Sequence, residues 1–394
     1  METKNTDLVE KIKQIYPRVV EWRRHLHQYP ELSFQEKQTS AWIAKKLHSL
    51  GVFEVEENVG GFGIVATLRG KPGPVIGLRA DLDALPIQEQ TEGPYTSKHP
   101  GVMHACGHDA HAAILLGVAH VLAELYKEGT INGTVCLIFQ PAEEDCDAEG
   151  KTGAVHMIES GKLDELDAVL ALHMCPWLPA GHVQIHDGPS MANNDNFHIV
   201  VHGKGGHAGY PHQGRDPIWI STQLLQALYS LNGRTIDPLD VATISIGHLE
   251  AGESNNIIPN RVDIKGTIRT YRKSIREQLI HEVHQLASLG KALGGSCDID
   301  IVRGEPALYN HSDINRVIKQ VSSHLQIINQ PFGMGSEDFG HFTERFPGAM
   351  FFLGCKTDPE TSLHQDRFDI DEKAMLYGMR ILLESTQEFM KKEW

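Results

Sequence analysis

The chain is short of the features that would send it outside the cell or into a membrane. Its six cysteines in 394 residues, at Cys106, Cys136, Cys146, Cys175, Cys297 and Cys355, form no Cys-x-x-Cys pair. A chain this long builds a core without covalent staples, so free thiols are expected. Long apolar runs are also missing. The opening METKNTDLVEKIKQIYPRVV has no signal-peptide core, and no stretch approaches a membrane span. A cytoplasmic protein is expected. Positive charge is scarce, with 36 Lys and Arg against 51 Asp and Glu for a net charge of −15. Such a chain offers no basic face to nucleic acid or to an anionic membrane. A small anionic substrate is still allowed, because it reads only its local site. Repeats, low-complexity tracts and linkers are absent.

What is present is an ordinary globular composition, 41% hydrophobic, in a chain long enough for two cores. Two helical stretches open it, DLVEKIKQIYPRVVEWRRHLHQYP and SFQEKQTSAWIAKKLHSLG. The second has Ser33 as the expected N-cap, Glu36 three residues on and Gly51 at its end. Short apolar strands follow in alternation with helices: GIVATLRG, PVIGLRADL, TVCLIFQ and AVLALHM. That alternation predicts a largely parallel sheet covered by helices. From residue 189 to 303 the order becomes strand, helix, strand, strand, helix, strand, a ferredoxin-like split unit. After Asn310 the α/β pattern returns. Residues 1–188 and 304–394 are therefore expected to form one domain, with 189–303 inserted into it.

The chemistry concentrates in VMHACGHDAH, Val102 to His111, just before an apolar helix. Asp109 is expected at the helix N-terminus, leaving Cys106 and His108 on the preceding loop. A thiolate there would be stabilised by the helix dipole and ready to bind a metal. Alone, a Cys-x-His is more often a buried cysteine beside solvated histidines. Other strand ends decide against that: Asp81 and Asp83 in RADLDALP, Glu143 and Glu144 in QPAEED, and His173 in ALHM, with His364 in the loop SLHQDRFDI. Strand C-termini are where α/β sheets place their sites. Adjacent glutamates on an extended segment point to opposite sides, so one can bind metal while the other faces water. Asp145 and Asp147 read as solvated loop residues. His104, His111, His156 and His186 have no evident partner.

With these motifs in hand, the sequence resembles the dinuclear-metal amidohydrolase and metallopeptidase family of aminoacylases, hippurate hydrolases and auxin-conjugate hydrolases. RADLDALP, MHACGHDAH, QPAEE, LHMCPW, GKGGHAGYPH, NNIIP, GTIRTY and LHQDRFDI occur in the family's order across almost the whole chain. The resemblance implies an α/β, two-metal hydrolase-like catalytic domain carrying an inserted α+β ferredoxin-like lid that serves dimerisation. It implies Cys106, His108, Glu144, His173 and His364 as ligands to two divalent ions (Zn, Mn, Co or Ni) and Glu143 as general base. It implies His207 as the group that stabilises the oxyanion, often across a homodimer, and Asn256 and Arg269 as lid residues near the substrate. Asp81 and Asp83 support the ligands from behind.

The expected reaction is hydrolysis of the amide bond of an N-acyl amino acid. The alternatives are a dipeptidase or carboxypeptidase on the same scaffold and, more remotely, an inactive metal-binding protein. The sequence departs from the family at DCDAEGKTGA, AGESNNIIP and MANNDNF, which bears on substrate identity and leaves the chemistry intact.

Overall fold

The computed structural model describes the backbone of residues 2–391 and the side chains of residues 7–391. The chain divides into two compact units. One takes the chain up to Gly188, Tyr309–Phe332 and everything from His341 onward; the other takes Pro189–Leu308 and Gly333–Gly340.

The first unit is built on an eight-stranded sheet. In spatial order its strands are Glu54–Val59, Gly63–Arg69, Asn132–Gln140, Lys71–Asp81, Ala168–Cys175, Gly348–Gly354, His182–Gln184 and Gln326–Ile328. The four central ones run parallel. Antiparallel pairings flank them on both sides. Every residue of Ala168–Cys175 and of Gly348–Gly354 is buried, as expected for parallel strands covered on both faces. The strand Glu54–Val59 is mostly exposed and the two last strands have three residues each, so none of them carried an apolar run to be read.

The helix His108–Lys127 lies at the heart of this unit, and by length and composition it is apolar enough to cross a membrane. The expectation that no stretch approaches a span is corrected here. Its apolarity serves the core, since nearly all of its residues are buried inside the protein. A Cβ on its Gly117 would lie 2.5 Å from Met379 Sδ and 2.7 Å from Val19 Cγ2, so first and last helices, Glu2–Gln28 and Ala374–Phe389, close on it there.

The second helix spans Lys37–Leu50 and follows Glu36, with no side-chain cap at that residue. The expected capping by Ser33 does not occur. Glu31 does the work instead, accepting from the N–H groups of Gln38 (3.2 Å) and Thr39 (2.8 Å). Ser33 and Glu36 are drawn inward to other partners: the Ser33 hydroxyl donates to Asp83 at 2.7 Å, and Glu36 accepts from Ala142 N–H at 2.7 Å.

The second unit has a four-stranded sheet in the order Ala242–Ala251, Arg261–Thr270, Asp195–His202, Ser296–Arg303, all antiparallel. Chain order is strand, helix, strand, strand, helix, strand. Asp216 caps the helix Pro217–Arg234 by accepting from Ile218 and Trp219 N–H, with proline in the first turn, where its missing N–H is not needed. One sheet face, with Ile199, Val201, Val262 and Ile264, packs on Leu224, Leu228, Leu279 and Val283 of the helices. The second expected helix is split into Lys273–Gln285 and Ala287–Ala292.

The boundary expected at residue 304 moves. Gly333–Gly340 clusters with this unit because its carbonyls are held there. Tyr271 OH donates to Gly333 O (3.0 Å), Arg269 Nη1 to Met334 O (3.3 Å) and Ala192 N–H to Gly335 O (3.0 Å).

Candidate metal centre and active site

The parallel strands end on one edge of the sheet, and their ends bring the candidate ligands together. Asp81 closes the strand Lys71–Asp81 and Asp83 follows it. Glu143 and Glu144 follow Asn132–Gln140, and His173 lies near the end of Ala168–Cys175. Gly107, at φ 97°, turns the chain into the central helix. A Cβ there would also lie 2.9 Å from Met174 Cγ. His108 is the first helical residue rather than part of the loop, which aims its ring back along the helix start.

Donor atoms of Cys106, His108 and His173 lie within 4.8 Å of one another, as do those of Cys106, Glu144 and His364, and those of His108, Glu143 and Glu144. The first two groups share Cys106 and together use all the residues expected as ligands. His108 and His173 are each held by the second ring nitrogen. His108 Nδ1 donates to the Asp83 carbonyl (2.9 Å) and lies 3.2 Å from Asp83 Oδ1. His173 Nδ1 donates to Met174 O at 2.8 Å, and Phe352 stacks on its ring at 5.0 Å. Both are left with Nε2 facing the cluster, as ligating imidazoles require. His364 sits at φ 60°, its backbone N–H fixed to Ala105 O at 2.8 Å and its Nε2 3.3 Å from Glu144 Oε1.

Electrostatics leave the cluster short of positive charge. His108 Nε2 is buried and has no hydrogen-bond partner among the described residues, with carboxylate oxygens of Asp81, Glu143 and Glu144 at 3.7, 3.8 and 3.9 Å. Burial opposes charge on His108, yet the surrounding carboxylates, Asp81 first, raise it to about 10. The Cys106 thiol is pushed well above its ordinary range by burial and then by Glu144 and Glu143. The expected stabilisation of a thiolate by the helix dipole is therefore overruled: among these carboxylates the sulfur ionises only beside a cation. His173 is held neutral, chiefly by burial. An unpaired imidazole nitrogen, a thiol and converging carboxylates suit divalent metal ions.

In the second unit, His207 and Asn256 meet on a two-stranded ribbon, Gly206–His207 against Ile257–Ile258. Ala208 N–H donates to Asn256 O at 3.0 Å, and Ser254 Oγ to Asn256 Oδ1 at 2.6 Å. His207 is exposed. Its Nδ1 accepts from Gly209 N–H at 3.0 Å, which places the proton of the neutral ring on Nε2. Arg269 lies on the strand Arg261–Thr270 and is half-buried. Its hydrogen bond goes to a neutral carbonyl, and among the described residues it has no carboxylate partner.

Residues 77–388 match peptidase family M20/M25/M40. The chain belongs to that family. It is 40% identical over 384 residues to thermostable carboxypeptidase 1 of Saccharolobus solfataricus, covering 94% of this chain and 96% of that protein. It is 39% identical over 372 residues to the N-acetyl-L-cysteine deacetylase of Bacillus subtilis, covering 93% and 87%. The crystal structure of the Bacillus subtilis YXEP protein, a dinuclear metal binding peptidase from the M20 family, superposes with a TM-score of 0.84 at 32% identity, over 97% of this chain and 99% of that one. The protein is thus a metal-dependent M20/M25/M40 hydrolase acting on amide or peptide bonds.

Residue-by-residue reading of the sequence missed part of what supports this M20/M25/M40 centre. His111, which had no evident partner, donates through Nδ1 to Asp81 at 2.6 Å and accepts at Nε2 from Met174 N–H at 2.9 Å. Both its nitrogens are used, so it steadies Met174, whose carbonyl anchors the His173 ring. Asp81 is held well below the usual carboxylate range: burial resists its charge, but His108, His111 and Arg79 prevail. Asp83 is also held below that range, against burial, by the His108 hydrogen bond foremost, and it accepts from Glu144 N–H at 2.9 Å. The i, i+3 spacing of His108 and His111 was the available signal. His156, also without an evident partner, pairs with Asp147 at 2.7 Å, at the surface.

Proposed function

We propose that the protein hydrolyses the amide bond of N-acyl amino acids. Arg269 carries this reading: a half-buried guanidinium whose charge burial disfavours, with no carboxylate partner among the described residues, suits the free carboxylate of an amino-acid product, which it can hold bidentately. Similarity to an N-acetyl-L-cysteine deacetylase supports the acyl side. Cys106, His108, Glu144, His173 and His364 are assigned as ligands of two ions; the thiolate favours zinc, cobalt or nickel, and the carboxylate admits manganese. Ions held there supply a Lewis acid for the scissile carbonyl and make water acidic near neutral pH.

Glu143, next to the ligand Glu144 and one-tenth exposed, removes the proton of the attacking water. It returns that proton to the nitrogen as the C–N bond breaks, so acid and amine leave in balance. His207 Nε2–H donates to the oxygen that becomes negative, and Asn256 lines the substrate beside it. We assign the second unit as a ferredoxin-like lid through which two copies pair, so that His207 serves the partner's site. Cysteines outside disulfides and the acidic surface suit the cytoplasm and a small-molecule substrate, with no role for nucleic acid or membrane.

The second reading is a carboxypeptidase or dipeptidase, which the 40% identity to a thermostable carboxypeptidase favours. Both place a free carboxylate on the leaving side and differ in what precedes the scissile bond. The deciding experiment is kcat/KM on N-acetyl and N-benzoyl amino acids, their α-amides, and free dipeptides, with wild type and Arg269→Ala. The N-acyl acids should lead. Arg269→Ala should lower their kcat/KM by about tenfold or more, as expected for one charge-assisted pair, and leave the amides within about twofold. Faster cleavage of dipeptides moves the assignment to the second reading, and equal losses on acids and amides remove Arg269 from the substrate.

A further inference from the structure

We infer that Glu36 is a positioning residue for the general base: a strut from the start of the second helix that fixes the backbone from which Glu143 projects. The inference rests on the assignment of Glu143 as base. Ala142, the residue before Glu143, has φ 46°, a left-handed conformation that a residue with a Cβ adopts only when its surroundings enforce it. Its N–H donates to Glu36 Oε1 at 2.7 Å. Its carbonyl accepts from Gly153 N–H at 2.8 Å, and Gly153 must be glycine, since a Cβ there would fall 1.7 Å from Pro141 O. On the other side of the glutamate pair, Glu144 N–H is tied to Asp83 at 2.9 Å. The two glutamates are thus bracketed by two carboxylates, Asp83 behind the ligand and Glu36 ahead of the base.

Besides Ala142, the Glu36 carboxyl meets the backbone N–H groups of Phe34 and of Glu36 in its own turn. Glu36 does not cap its helix through its side chain, it is fully buried, and among the described residues its Oε2 has no hydrogen-bond partner. A buried carboxyl whose long-range hydrogen bond spans 106 residues of chain is a costly way to hold a helix and an effective way to hold a loop. Burial, then the nearby Asp83, push Glu36 up to about 7. The hydrogen bond to Ala142 needs only an acceptor oxygen, which the uncharged form also offers.

The test compares Glu36→Leu with Glu36→Gln, which keeps an acceptor of the same reach. Glu36→Leu should lower kcat about tenfold or more, with KM within about threefold of wild type and metal content unchanged. Glu36→Gln should recover kcat to within about threefold, a rescue that a demand for buried charge would not allow. If Glu36→Leu does not fold, Glu36→Asp replaces it: the charge is kept and the reach lost, so Asp should be impaired where Gln is not. The inference is overturned if Glu36→Leu keeps its kcat, if Gln is as poor as Leu or Asp, or if metal is lost in step with kcat. Glu143→Gln, run alongside, separates the two claims. Turnover lost there but intact in Glu36→Leu removes only the strut, while turnover intact in Glu143→Gln removes the base itself and the strut with it.

Discussion

The two histidine-bearing regions of the molecule are held in opposite ways. In the first unit, His108 and His173 are buried, each fixed by a hydrogen bond at Nδ1 and each turning Nε2 toward other donors. Aspartates, the Met174 peptide and the Phe352 ring fix their orientation. In the second unit, His207 stands exposed on a ribbon of two residues per strand, steadied by a neighbouring glycine N–H. The first arrangement commits its groups before any ligand arrives. The second leaves a donor facing solvent and an arginine that has no counter-charge among the described residues, groups that acquire a purpose only when something else is brought to them. Preorganisation of this kind belongs where charge is handled, and looser presentation where different substrates must enter.

Three experiments would break or sharpen that contrast. The largest effect should come from the rigid side. Glu143→Gln should lose about a hundredfold or more in kcat, as for a general base, while retaining its metal by elemental analysis. Glu144→Gln should instead lose metal. If the two phenotypes are exchanged, so are the roles.

The next addresses the exposed side. Mixing inactive Glu143→Gln and His207→Ala proteins under subunit exchange should restore roughly a quarter of wild-type activity if His207 acts on the partner's site, because half the dimers are mixed and each gains one complete site. No recovery in demonstrated mixed dimers would place His207 in its own chain's site, and a monomer by light scattering would end the idea outright.

The third effect is graded with pH. In the metal-free protein His108 is raised to about 10, so below that pH it holds a proton that must leave before Nε2 can bind an ion. Metal affinity should therefore rise by about tenfold per pH unit between pH 6 and 9 from this group alone. The Cys106 thiol, raised further by burial and carboxylates, steepens the slope. Chelator competition across that range measures it, and a flat profile would mean that neither group gives up a proton on binding.

Much of the centre was legible because its parts sit at strand ends, where apolar runs stop abruptly in acids and histidines. Glu143 after TVCLIF and His173 within AVLALHM needed only that pattern. The supporting residues were harder, because their partners are remote in sequence. Ser33 and Glu36 have the spacing of a capping box, and local reasoning assigned them to the helix. The fold uses them instead on Asp83 and Ala142 and leaves the cap to Glu31. His111 looked idle because both its partners, Asp81 and the Met174 peptide, lie on other strands. The strand order of the second unit followed its hydrophobic alternation, yet GMGSEDFG could not be placed there by pattern, since backbone carbonyls tie it in. Periodicity reports which face is buried and is silent about which distant side chain a buried polar group will find.

The clasp at Gly117 bears on how the chain comes into being. The helix His108–Lys127 is made well before Met379, whose sulfur closes over Gly117. Until Met379 is made, this apolar helix lacks part of its cover. It must be shielded by provisional contacts or by chaperones until the helix Ala374–Phe389 emerges. The last helix is thus the latch of the catalytic unit, and a nascent chain that stops short of it carries a greasy helix with nothing to close over it.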